Sequence, residues 1–198
     1  MHRRPSSLHA WVLSAVLLAG AVLPRPSLLA APPGASPPSD YAVVANYLAV
    51  FCRYVVWPDT GPSASPPPPL RIGVLGPNPF GTTLNQLLAS KTLHGRRMTA
   101  AHGETPDQLL DCQVVFIAIA NEAERAAALA ALAGKPILTA VYLGEPSRPE
   151  PTGAVIELVR IGNNIRYQLN ATALSAQNLQ ATTGLLENAL CRIGGPAQ

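Results

Sequence analysis

Between Asp40 and Val55 the apolar residues Tyr41, Val44, Leu48, Phe51 and Val55 recur at alternating steps of three and four. That spacing marks one face of an amphipathic helix, with Ser39 or Asp40 as its cap. The helix is expected to end near Trp57, because Pro58 biases the residue before it away from helical geometry. From Leu70 the rhythm changes. Ile72–Leu75 form a short apolar run, and Phe80, Leu84, Leu87 and Leu88 fall on one helical stripe beyond a glycine loop. A weaker strand around Met98–His102 follows, then a short helix opened by Thr105, Pro106 and Gln108 in the places of a capping box.

VVFIAIA, Val114–Ala120, does not alternate and reads as a strand covered on both faces. Asn121 then caps an alanine-rich helix with Glu124 at its third position, and Gly134 stops it. ILTAV, after Pro136, is another buried strand. AVIELVR and IRYQLN flank Ile161-Gly162-Asn163-Asn164, a segment suited to a hairpin. Ile165, Tyr167 and Leu169 alternate there with Arg166, Gln168 and Asn170, so one face is buried and the other wet. Asn170 is expected to cap a long final helix packed through Leu179, Leu186, Leu190 and Ile193. The sum is a single α/β sandwich: a mixed sheet of five to six strands flanked by helices, with N- and C-terminal helices and a C-terminal hairpin.

The first thirty residues stand outside that domain. Arg3 and Arg4 precede an uncharged apolar run, Ala10–Leu23, and small residues follow at Ala30 and Ala31. That is the order of a signal peptide, and about fourteen residues are short for a bilayer span. Residues 31–39 are a solvated Pro-rich spacer, and the domain runs over 40–194. A second proline-rich connection, PDTGPSASPPPP, separates the first helix from Leu70.

Removing the leader changes the meaning of the net charge of +3. Three of the fourteen basic residues lie within it and no acid does, which leaves eleven of each sign. A charge-balanced domain lacks the clustered Lys and Arg that nucleic acid requires. Cys52, Cys112 and Cys191 would then meet an oxidising compartment, with three possible pairings and one thiol left over. With no CxxC and only His94 and His102 outside the leader, zinc chemistry is not indicated.

Gly76–Thr83, GPNPFGTT, invites comparison with the phosphate-binding pattern GxxxxGK[ST]. Thr82 stands where that pattern needs lysine, and Pro77 and Pro79 lack the N–H groups of a phosphate nest. A structural turn accounts for more residues: Asn78 as cap, Pro79 as first helical residue, Gly76 where the strand ends. Nucleophile elbows and metalloprotease motifs are absent, His94 and His102 sit in polar, turn-rich surroundings, and Asp107, Asp111, Glu122 and Glu124 read as helix-start charges. No catalytic residue and no cofactor follow from this sequence.

YLAVFCRYVVWP, LRIGVLGPNPFG, LDCQVVFIAIA and IRYQLNATALSAQNL, in that order, resemble the YfiR family of bacterial periplasmic proteins over Tyr41–Ile193. The resemblance implies a noncatalytic, dimerising regulator. Such proteins bind the periplasmic sensor domain of an inner-membrane diguanylate cyclase, repress it, and so lower cyclic di-GMP and restrain biofilm formation. Cys112 matches a position where relatives carry cysteine, but their partner cysteine is missing, since Ile72, Gly73 and Val74 occupy the preceding strand. Cys52 and Cys191, on the first and last helices, are then the favoured pair, with Cys112 free; three reduced, packed thiols are the alternative. Trp57 and Arg166 are candidates for partner contact, against covering a core edge and facing solvent respectively. A second functional class, a small-ligand or anion binder, would use the loop of Gly76, Asn78 and Gly81.

Overall fold

Ser39 opens α1 (Asp40–Tyr54) by accepting the Ala42 N–H on its hydroxyl, and Val44, Leu48 and Phe51 are buried along the expected stripe. The helix ends three residues before Trp57. Val55–Val56 are β-branched and leave it to form β1, which pairs antiparallel with a segment near the C-terminus. The computed structural model describes residues 39–58, 68–145, 151–190 and 192–193. The expected leader, most of the spacer and Cys191 lie outside the described residues.

In order there follow β2 (Leu70–Leu75), α2 (Thr83–Ala89), β3 (Thr92–Leu93) and β4 (Arg96–Gly103). Next are a 3-10 turn (Pro106–Leu109), β5 (Val114–Ile117), α3 (Glu122–Leu132) and β6 (Leu138–Tyr142). The hairpin strands β7 (Ile156–Ile161) and β8 (Asn164–Asn170) precede α4 (Ala171–Ala176), β9 (Gln180–Ala181), α5 (Thr183–Glu187) and β10 (Arg192–Ile193). One sheet runs in the order β10-β8-β7-β6-β5-β2-β4-β3, and β1 and β9 form a separate pair. The five central strands from β7 to β4 are parallel, while β8 runs antiparallel to β7 and parallel to β10, and β3 runs antiparallel to β4. Six strands are longer than two residues; β3 and β10 extend the sheet beyond the expected five to six.

Both faces of the parallel centre are covered, which is why VVFIAIA does not alternate. Val114 and Phe116 join a core with α1, α2, α4 and α5, whereas Val115 and Ile117 pack with Leu129 and Leu132 of α3. Aromatic edges tie α1 to the first core: Tyr41 meets Phe80 and Tyr142 at 5.7 and 5.6 Å, and Phe51 meets Tyr167 at 5.1 Å. Gly162 turns the hairpin with φ +58°, the sign a type II′ turn needs at its first central position.

The long final helix does not form. Asn170 caps as expected, accepting the Ala173 N–H at 3.0 Å, but α4 stops after six residues. Asn178 takes φ +55°, and the Leu179 N–H turns back to Leu174 O at 3.1 Å. The chain then spends its backbone bonds on Val55–Val56 through β9. Leu179 is buried, but Leu190, expected on a packed face, is 43% exposed. The start of α2 also differs. Its N-cap is Thr82, four residues after Asn78, because Asn78 folds the loop before the helix begins.

Candidate partner-binding surface

The glycine loop between β2 and α2 is shaped by hydrogen bonds of its own and by the end of β4. Asn78 accepts the Phe80 N–H on Oδ1 at 3.0 Å and donates from Nδ2 to Gly81 O at 3.2 Å. The Gly76 N–H donates to Gly103 O at 3.0 Å, the Thr83 N–H to Phe80 O at 3.0 Å, and His102 Nε2 lies 2.7 Å from Gly76 O. Gly76 holds φ +88°, and a Cβ there would lie 3.1 Å from Ile119 Cγ1, so glycine is required for both conformation and space. The Gly76, Phe80 and Thr83 N–H groups are thus engaged in shaping the turn.

The described thiols are not poised for chemistry. Cys52 is buried on α1 and donates to Leu48 O at 3.3 Å; burial pushes its thiol up to about 12. Cys112 is buried against α3, and burial, reinforced by the Asp111 carboxylate, pushes it up to about 11. Both are free, and the other half of the favoured Cys52–Cys191 bridge lies outside the described residues. Asp111 pairs with Arg71 across the strand ends and does not serve a helix start.

Trp57 is half-buried against the first core, and its Nε1 donates to Gln113 O at 3.2 Å at the entrance to β5. Arg166 is exposed on β8 and stands apart from it. It lines a cavity of about 320 Å³ between α1 and α5, together with Tyr47, Val50, Tyr54 and Tyr167. Val50 also lines a second cavity, of about 580 Å³, with Arg53, Lys91, Leu93, His94 and Met98. The outer face of α1 thus separates two concavities. Sequence reasoning passed over Val50, Arg53 and Tyr54 because they lie off the buried stripe; the signal was Val50 and Tyr54 themselves, an apolar i, i+4 pair facing away from it.

β8 is less open than its position suggests. The Leu190 N–H donates to Tyr167 O at 2.7 Å, β10 pairs with Leu169 and Asn170, and Tyr47 donates its hydroxyl to Ile165 O at 2.9 Å. Beside the hairpin, Asp40 receives the Arg160 guanidinium and the Tyr142 hydroxyl, closing the helix start onto β6 and β7. Burial raises the Tyr142 phenol above its ordinary value.

Among the described residues no group of three or more His, Cys, Asp or Glu is placed to hold a metal ion. Nor is any described helix long and apolar enough to cross a membrane. Among curated proteins, none matches this sequence. A protein-family model described as DUF4154, YfiR/HmsC-like, matches residues 41–190, which span α1 through the end of the α5 region and so nearly all the described elements. The chain belongs to the YfiR/HmsC-like family.

Proposed function

We propose that this protein is exported to the periplasm by its N-terminal leader and there represses an inner-membrane diguanylate cyclase by binding that enzyme's periplasmic sensor domain. The observation that carries this reading is the family match over residues 41–190. The basic pair and apolar run ahead of Leu23 support export. The protein acts as a homodimer, without cofactor and without catalysis, and its biology resides in contact surfaces.

Repression by binding requires differential affinity, since a regulator that binds both states of the cyclase equally shifts nothing. Taking the enzyme from almost wholly active to almost wholly inactive needs about ten-thousand-fold tighter binding to the inactive state. Deleting the gene in its host is expected to raise cyclic di-GMP, and restoring it to lower the level again. The cyclase is expected to co-purify with the protein from solubilised membranes. Unchanged nucleotide in the deletion strain, with no cyclase retained, refutes the reading.

A further inference from the structure

Among the described residues, three of the six exposed large hydrophobics fall within seven positions: Val50, Tyr54 and Val56, at 43, 38 and 51% exposure. Val50 and Tyr54 stack one turn apart on α1 and are flanked by the two cavities that share Val50. Among the described residues, Arg53, Lys91 and Arg166 are the formally charged ones lining those cavities, and no Asp or Glu lines either one. The sheet reinforces this sign. Arg96 and Arg97 open the parallel strand β4, and Arg71 opens β2 in an ion pair with Asp111, whereas Glu104, Asp107, Glu122 and Glu124 follow the ends of β4 and β5.

The aromatic at the centre is also held in place. A Cβ on Gly184 would lie 3.0 Å from Tyr54 Cε1, so the glycine lets the ring lie against α5 with the cavity open beside it. A preset aromatic next to arginines, in a concavity wide enough for one side chain, is the composition of an interface hot spot. We propose that the outer face of α1, centred on Val50 and Tyr54 and ringed by Arg53, Lys91 and Arg166, docks an acidic protein segment that inserts an aromatic or aliphatic anchor beside Tyr54. Only the identity of the partner rests on the regulator reading; the chemistry of the surface does not.

The test uses the full secreted chain, isotope-labelled, titrated with a synthetic peptide in which Leu-Phe is flanked by Asp and Glu. Control peptides carry Lys for the acids or Gly for the apolar pair. Amide shifts are expected at Val50, Arg53, Tyr54 and Gly184 with the acidic apolar peptide alone. The double variant Arg53→Glu/Arg166→Glu, altered only at exposed positions, is expected to lose about tenfold in affinity and to gain binding of the Lys peptide. Shifts mapping elsewhere, equal binding of the Lys peptide by the unaltered protein, or undiminished affinity in the variant overturn the proposal. So does self-association or anionic-vesicle binding that the double variant abolishes, because another occupant then holds the face. With the cyclase sensor domain as a second probe, binding that the variant retains overturns this surface and leaves the regulator reading standing. No sensor binding, with the peptide still mapped to α1, does the reverse.

Discussion

Gly73 of β2 and Cys112, at the entrance to β5, face each other so closely that a Cβ on the glycine would lie 3.1 Å from the cysteine sulfur. Across a disulfide, the Cβ of one cysteine sits about 3 Å from the sulfur of the other. Gly73→Cys is therefore expected to cross-link to Cys112 on oxidation, and nonreducing peptide mapping reads the bridge directly. Closing a loop of about forty residues stabilises by up to about 4 kcal/mol, less the cost of moving the Leu109 methyls that also crowd the site. A variant in which both thiols stay alkylatable contradicts the facing geometry.

Asp40 joins the start of α1 to Arg160 and Tyr142, and both side chains of its ion pair are about one-third exposed or less. Asp40→Asn keeps the shape but loses the charge opposite the guanidinium and in the first helical turn. It is expected to cost about 1–2 kcal/mol in urea unfolding. Little change in midpoint would show that solvent screens the pair.

Tyr167 buries its ring against Phe51 and donates its hydroxyl to Leu185 O at 2.7 Å; burial pushes the phenol up to about 12. The Cys52 thiol is likewise pushed from 9.0 to about 12. Below the unfolded-state values both states hold these protons, and the stability is intact. As pH climbs from near 9 the unfolded chain releases protons that the folded one retains, so stability falls until the folded groups ionise near 12. Denaturant midpoints are expected to decline steadily across that window, more gently in Tyr167→Phe. That variant also loses about 1–2 kcal/mol at neutral pH, because Leu185 O is left without its donor. A flat alkaline profile would refute the burial argument.

Cys52 and Cys112 should resist a thiol reagent in the folded protein at mildly alkaline pH and react at once in concentrated guanidinium. Rapid native labelling of either would place it at the surface.

Gly76→Ala forces a side chain into φ +88° and against Ile119, and is expected to lose about 1–3 kcal/mol in thermal or chemical melts. Millimolar phosphate should leave the melting of the unaltered protein unmoved. A phosphate-dependent rise in melting temperature would support the ligand reading of this loop.

Local rules accounted for the first helix, its Ser39 cap, the Asn121 cap, the Gly162 turn and the two-faced burial of Val114–Ile117, because each depends on neighbours in sequence. The C-terminal segment escaped them. Leucines at helical intervals from Leu179 to Leu190 satisfy a helix rule, yet the backbone of Gln180–Ala181 gains more by pairing with Val55–Val56, a partner over a hundred residues away. The α1 face escaped for the same reason. Periodicity identified the buried side of the helix, but whether Val50 and Tyr54 meet solvent or protein depended on where α5, β3 and β8 came to rest around them. Burial patterns are written in the order of residues, whereas a surface is assembled from segments that only long-range packing brings together.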